Sequence, residues 1–281
     1  MRTVDDFGMQ GQLPSHPQLL DWLAVDFKEH GWNVKRLMKQ IMMSATYRQS
    51  AAISAEKLKK DPENIFLSYA PRIRMQAELV RDMLLGSSGL LNRTIGGPSS
   101  KPYQPAGLWE MATSGRGLLA QYRQDHGDKL YRRGIYSFIK RTVPPPAMMI
   151  FDASNRDQCE VKRTRTNTPL QALVMMNDPT VLESSKVLAI SLLIEFKEKR
   201  DQAATAFRRI ICRKAKDDEL QMLLDYYNQR LQHFSKDPAA ASKTISVGET
   251  ELTTNSTNAE IAALMQTIQV IYNLDEAITK T

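Results

Sequence analysis

The chain has 281 residues, of which 42% are hydrophobic and 25% charged, and a formal net charge of +7. This composition is typical of a globular protein with one large domain or two small ones. No uninterrupted apolar run approaches about 18 residues, so the sequence predicts no transmembrane helix. It has no C-x-x-C-H motif, so it predicts no covalently attached haem. The first residues, MRTVDDFGMQGQ, lack the apolar segment of a signal peptide.

Residues 1–91 show helical periodicity and predict a helical hairpin followed by a long helix. Ser15 is the expected N-cap of the first helix, Gly31 ends it, and Asn33 caps the second. The second helix should turn five apolar side chains inward: Val34, Leu37, Met38, Ile41 and Met42. These residues therefore predict two amphipathic helices packed against each other.

The long helix should open at Pro71 and run from Arg72 to about Leu85. It carries Glu78, Arg81 and Asp82, which have two interpretations. They form weak surface ion pairs, or they contact the basic loop that follows, where arginine and carboxylate forks suit a buried polar junction.

Residues 92–168 form a region rich in proline, glycine and basic residues. Between Gln121 and Arg165 there are ten Lys or Arg against five Asp or Glu. Trp109 should anchor this region by packing, and a short strand pair is expected near Ile135. Pro144 to Pro146 should hold the backbone extended. The apolar residues Met148 to Phe151 indicate that the loop is ordered.

Residues 169–281 read as a helical bundle. Thr168 is the expected N-cap of a helix from Pro169 to Asn177, and Asp178 should cap the next helix, which ends near Lys197. Two helices follow, Gln202 to Cys212 and Asp217 to Phe234, and a last one runs from Ala259 to about Ile278. Residues 235–257, rich in serine and threonine, are expected to form a mobile loop. The predicted fold class is mainly α, with long ordered loops and at most a short strand pair.

The richest polar cluster lies around the basic loop and the helix start at Thr168. Arginines can bind a carboxylate or sulfate through two hydrogen bonds, and the first turn of a helix offers free backbone donors. Two interpretations stay open: an anion or partner site, or a set of contacts that holds the loop, with Asp152, Asp157 or Asp178 pairing with the arginines. The candidate residues are Lys140, Arg141, Arg163, Arg165, Asn167, Thr168, Gln171, Asn177 and Asp178.

No catalytic or metal signature stands out. The four histidines are scattered, and Asp125, His126 and Asp128 read better as a solvated acidic turn than as a metal site. Cys159 and Cys212 pair only if the fold brings them together. We therefore expect no catalytic residues, no metal and no cofactor within this chain.

Several strings resemble a C-terminal domain of unknown function found in large exported, cytochrome-like proteins typical of planctomycetes. The resemblance covers nearly the whole chain and implies a single domain over residues 1–281 that lacks its first helix. It also implies a periplasmic or exported location, and upstream domains as partners, among them a cytochrome c domain that would hold haem. The matching strings are DFG.QG.LPSHPQLLDWLA (6–24), GW..K.L...I..SATYRQS (31–50), DP.N (61–64), R..AE.VRD..L..SGLL (74–91), KRTVPPP (140–146), RTNTPLQAL (165–173), NDP (177–179) and YNLDEAITK (272–280).

Three functions are compatible with these features. The favoured one is a non-catalytic binding or scaffolding domain that docks an anionic partner or substrate, such as an anionic glycan. The first alternative is a composite active site on a carbohydrate or other anionic substrate, completed by the upstream domain. The second is nucleic-acid binding, which the excess of basic residues allows but no motif supports.

Overall fold

The structure is a computed structural model that describes residues 3, 6, 8–113, 116–117, 119–154, 156, 159–251 and 253–280. Within these ranges it contains 13 α-helices and one two-stranded antiparallel sheet, which confirms the predicted mainly α fold. None of the described helices is long and apolar enough to cross a membrane.

The chain divides into two compact units. Unit 1 comprises residues 1–73, 160–162 and 279–281, and unit 2 comprises residues 74–159 and 163–278. The prediction of a single domain over the whole chain stays a prediction.

Unit 1 contains the predicted helical hairpin. Its helices are α1 (Pro17–Glu29), α2 (Val34–Met43) and α3 (Ala55–Lys60). The sheet pairs β2 (Thr279–Lys280) with β1 (Ile73–Arg74), whose second residue is counted in unit 2. Asn33 caps α2 as predicted, because its Oδ1 accepts from the N–H of Arg36 at 3.0 Å. Arg36 also donates to both carboxylate oxygens of Asp26 on α1. This pair holds the two helices of the hairpin together.

The hairpin leaves much of its apolar surface exposed. Trp22 is 53% exposed and Trp32 is 66% exposed. The prediction that the apolar side chains of α2 face inward was wrong for Val34, Met38, Ile41 and Met42, which are all exposed. Two short helices enclose too little volume to cover both of their apolar faces.

Unit 2 carries the main core and ten helices in the described ranges. They are α4 (Ala77–Ser88), α5 (Leu108–Thr113), α6 (Pro146–Ile150), α7 (Pro169–Asn177), α8 (Pro179–Glu195), α9 (Lys199–Ile211), α10 (Asp217–Lys236), α11 (Pro238–Ile245), α12 (Asn258–Tyr272) and α13 (Asp275–Ile278). Helices α8 and α12 lie at the centre. Helix α12 packs against α8, α9, α10 and α11, and α4 also packs against α8.

Capping explains where the central helices begin. Asp178 caps α8 as predicted, because its Oδ1 accepts from the N–H of Thr180 at 2.8 Å. Thr257 and Glu260 form a capping box at the start of α12, in which each side chain accepts from the backbone of the other. Thr168 occupies the N-cap position of α7, but its side chain makes no capping hydrogen bond.

The loop region between α4 and α6 is held on α4 by polar contacts. Arg81 donates to the carbonyl oxygens of Leu130 and Arg132, and Asp82 accepts from the N–H of Gly134 at 2.6 Å. A Cβ on Gly134 would lie 2.6 Å from Cα of Glu78, so only glycine permits this approach. Trp109 is buried and packs against Tyr122 and Phe138, which confirms its predicted anchoring role.

Several predictions of local structure were wrong. The first helix has His16 rather than Ser15 at its N-cap position, and the last predicted helix ends at Tyr272, so that residues 275–278 form a separate helix. The segment near Ile135 forms a 3₁₀ helix, Gly134–Tyr136, and the strand pair lies elsewhere. The helix expected from Arg72 begins at Ala77, since Ile73 and Arg74 are in β1. The expected loop 235–257 contains α11, whose first turn is capped by Asp237 and whose Ala241 is buried. Capping and burial of small residues there outweigh the low hydrophobicity of the segment.

Candidate functional site

Gln171 connects the start of α7 to the surrounding segments. Its Oε1 accepts from Nε and Nη2 of Arg74 at 3.2 and 2.9 Å. Its Nε2 donates to the carbonyl oxygens of Ile150 and Thr166 at 3.0 and 3.2 Å. Since the side chain is buried and all its polar atoms are bonded, Gln171 stabilises the loop.

The two loop arginines have different surroundings. Arg163 donates from Nη1 to Oε2 of Glu78 at 2.7 Å, and both side chains are largely buried. Arg165 is exposed. Both line a small crevice together with Arg74 and Gln171, and so lie beside the first turn of α7. The contact between Glu78 and the basic loop, one of the two interpretations of the α4 charges, is therefore present.

The aspartates expected to pair with these arginines bind other groups. Asp152 accepts from the N–H and hydroxyl of Thr166, and Asp178 caps α8. That alternative was therefore wrong for Asp152 and Asp178, because Glu78 supplies the carboxylate from α4. Asp157 lies outside the described residues.

The remaining candidates do not gather at one point. Lys140 donates to the carbonyl oxygen of Leu119 at 2.7 Å, and its ammonium lies over the ring of Trp109. Arg141 and Asn167 are exposed, and Thr168 is half-buried at the start of α7. Asn177 and Asp178, at the other end of α7, line a separate and much larger cavity.

That cavity has a volume of about 360 Å³ and lies wholly within unit 2. Its walls come from α4, the segment 102–105, α6, the end of α7 and the start of α8. Most of the lining is apolar, with Leu84, Met148, Phe151 and Val174 among the side chains. The volume lies within the range of roughly 300–1,000 Å³ that ligand pockets occupy. Parts of the strings R..AE.VRD, KRTVPPP and NDP meet here, since Ala77, Arg81, Pro145, Pro146 and residues 177–179 all line it.

Arg81 is the buried cation of the cavity wall, with 9% of its surface exposed. Its Nη2 donates to the carbonyl oxygen of Leu130 at 2.6 Å, whereas among the described residues Nη1 has only a long contact of 3.5 Å to Oγ1 of Thr180. Burial lowers the pKa of this guanidinium, and the negative charges of Asp178 and then Asp82 oppose that shift. The cavity thus has one fixed positive charge balanced by carboxylates beside it.

Tyr103 joins the cavity to a second polar cluster behind it. Its hydroxyl donates to Oε2 of Glu183 on α8 at 2.9 Å, and burial raises its pKa. Oε1 of Glu183 accepts from the hydroxyl of Tyr131 and the N–H groups of Glu249 and Thr250, each at 2.8 Å. Burial also raises the pKa of Tyr131, to about 12. Because every oxygen of the buried Glu183 is bonded, the cluster holds the segment after α11 against α8.

Two residues of the site, Arg81 and Glu183, were not predicted from the sequence, and both lie on buried helix faces. Arg81 follows Ala77 by four residues and precedes Leu84 by three, so it lies on the apolar face of α4. Glu183 likewise precedes the buried Val187 by four. A charged residue within an apolar stripe was the available signal.

In the part of the chain that the structure describes, no group of three or more histidine, cysteine, aspartate or glutamate side chains is placed to hold a metal ion. Cys159 and Cys212 are both free and exposed.

Comparison with known proteins gives a family but no activity. No curated protein and no solved structure matches the chain. One family model does match, over residues 1–227, and its description is PSD1, protein of unknown function (DUF1553). The match therefore confirms that the chain contains a domain of unknown function, as the sequence strings predicted. Since the match covers well over half of its residues, the chain belongs to the PSD1 (DUF1553) family of proteins of unknown function.

Proposed function

We propose that this chain is a binding module, and that unit 2 holds its ligand in the cavity between α4, α6, α7 and α8. The observation that carries the proposal is an apolar cavity of about 360 Å³ with a buried guanidinium on its wall. Apolar walls supply most of the binding free energy, and a few convergent polar groups set the orientation of the ligand. A non-catalytic role is favoured because Arg81 and Tyr103 are held by protein groups.

The mouth of the cavity offers a matched pair of variants. Leu173 and Leu170 lie on α7 with 56% and 58% exposure, but only Leu173 lines the cavity. Leu173→Trp adds bulk at the mouth, whereas Leu170→Trp adds the same bulk elsewhere on the helix. Because Leu173 is half-exposed, the larger side chain can be accommodated without overpacking the core.

Occupancy can be read from methionine methyl groups. In protein with ¹³C-labelled methionine methyls, indole should shift the Met148 signal in a saturable way, since Met148 lines the cavity. The signal of Met222, exposed on α10, should not move. We expect the Met148 shift in Leu170→Trp and its loss in Leu173→Trp. A Met148 signal that indole leaves unmoved, or that shifts equally in both variants, would contradict the proposal.

An anionic partner is the second candidate. Arg141 and Arg165 are exposed, and within the described residues neither has a hydrogen bond or ion pair. Such side chains can bind sulfate or carboxylate groups at the surface. Retention on a heparin column, compared between the wild type and Arg165→Ala, tests this candidate. Equal retention would count against it.

We also propose the cellular setting that the resemblance implies. In that setting the chain is part of an exported planctomycete-type protein, and a cytochrome c domain with its haem lies upstream. The coding sequence of the whole gene tests this directly. An export signal and a C-x-x-C-H motif upstream would support it, and a gene without them would contradict it.

A further inference from the structure

The polar groups on the cavity wall have no net charge. The ionisable side chains on the wall within the described residues are Arg81, Asp178 and Tyr103. Arg81 and Asp178 carry opposite charges, and the raised pKa of Tyr103 keeps its hydroxyl neutral. A charged ligand would therefore bring an unbalanced ion into an apolar cavity, which costs far more free energy than bringing in a neutral group.

The same wall has hydrogen-bonding capacity of both kinds. Nη1 of Arg81 has spare N–H donors, because its one contact with the residues that the structure describes is the long one to Thr180. Oδ1 of Asp178 is used in the helix cap, and within the described residues Oδ2 has no hydrogen bond. Oε1 of Gln104, which also lines the cavity, is buried and has no hydrogen-bond partner among the described residues. A suitable ligand must supply an acceptor and a donor close together.

We propose that the cavity binds an uncharged amide attached to an apolar body, which is the chemistry of an apolar peptide segment. The amide C=O accepts from Arg81, the amide N–H donates to Asp178, and the apolar body lies against Met148, Phe151 and Val174. A carbohydrate fits less well, since most of its hydroxyl groups would face aliphatic side chains and lose their hydrogen bonds to water. This inference rests on the proposed function and names its ligand class.

Three probes with one apolar side chain test the charge preference. N-acetyl-leucinamide is neutral, N-acetyl-leucine is a carboxylate and leucinamide is largely an ammonium ion at pH 6.5. By calorimetric titration, we expect the neutral amide to bind at least about tenfold more tightly than either ion, a difference of about 1.4 kcal/mol. N-acetyl-leucyl-leucinamide should bind more tightly still if the natural ligand is a peptide, and no more tightly if it is a small amide.

Asp178→Asn provides the decisive variant, because asparagine also caps helices and so preserves the start of α8. The change removes the balancing charge and presents an N–H₂ group where the wild type presents an acceptor. We expect the carboxylate to gain affinity and the neutral amide to lose it, so that their ratio changes at least about tenfold. Asp237→Asn is the matched control, since Asp237 caps α11 in the same way and does not line the cavity.

The outcomes separate this inference from the proposed function. If the three probes bind equally, or the carboxylate binds most tightly to the wild type, the amide inference is wrong. If the Met148 signal still responds to indole in that case, the proposed function of the cavity as a binding site stands. If no probe binds and indole has no effect, both proposals fail.

Discussion

The buried carboxylate of Glu183 gives the sharpest test of how unit 2 is stabilised. It is 1% exposed, and its two oxygens accept four hydrogen bonds, three of them at Oε1. Glu183→Gln keeps the size and shape of the side chain but removes its charge. The amide oxygen can take the place of Oε1, and the hydroxyl of Tyr103 can turn to accept from the new N–H₂ group.

The expected loss follows from the strength of these bonds. A hydrogen bond to a charged group contributes about 1.5–3 kcal/mol and one between neutral groups about 0.5–1.5 kcal/mol. The three bonds at Oε1 therefore lose about 1 kcal/mol each, and Glu183→Gln should lower the free energy of unfolding by about 3 kcal/mol. Glu195→Gln on the same helix is the control. Its partner Arg209 forms a surface pair, which is worth at most about 1 kcal/mol.

Urea unfolding followed by far-UV circular dichroism measures both variants, because most of the described helices are in unit 2. We expect the Glu183→Gln midpoint to fall well below that of Glu195→Gln with little change in slope. The reasoning is refuted if the two variants unfold at the same urea concentration. Such a result would mean that water replaces the lost bonds, so that the segment after α11 is not held by Glu183.

Two further predictions concern ion pairs. Arg163→Ala should lower the free energy of unfolding by about 2 kcal/mol, because it leaves the largely buried Glu78 without its partner. Arg165→Ala, at an exposed position, should lower it by less than about 0.5 kcal/mol. Equal urea midpoints for the two variants would contradict this prediction. The hydrogen bond from Arg213, followed by that from the backbone of Lys216, lowers the pKa of Glu219 to about 2 from an ordinary 4.5. The stabilisation of the fold by Glu219 is therefore complete above about pH 4.5 and lost as the pH falls towards 2. The free energies of unfolding of the wild type and Glu219→Gln, measured against pH, should converge over that window. A constant difference between the two curves would refute this prediction.

Local signals in the sequence were sufficient for most helices. The caps at Asn33 and Asp178, the proline at the start of α7 and the apolar periods all predicted elements that are present. These features depend on residues within one or two turns of each other. The start of the long helix was wrongly predicted at Pro71 for the opposite reason. Strand β1 forms by pairing with β2, which lies some 200 residues away, and the residues next to Pro71 carry no sign of that pairing.

The candidate site was harder to predict because its members are brought together by packing alone. Residues 163–171 were predicted to form one site with residues 177 and 178 because they are close in the chain. In the structure α7 separates them, so that Gln171 lies in the loop network and Asp178 lies at the cavity. Arg81 belongs with Asp178 although 97 positions separate them, and only the packing of α4 on α8 brings them together.

The prolines explain how loop segments can line an apolar cavity at all. A backbone N–H that faces such a cavity without a partner is costly, and loops have many of them. Proline has no N–H, and five prolines line this cavity: Pro102, Pro105 and Pro145 in loops, and Pro146 and Pro179 at the first positions of α6 and α8. Pro144 to Pro146 were predicted to hold the backbone extended, which was wrong for Pro146, because it begins α6. On the cavity wall the five prolines also remove donors that a mainly apolar ligand could not satisfy, and their rings add apolar surface. The same residues thus restrict the loop backbone or begin helices, and make the cavity suitable for an apolar ligand.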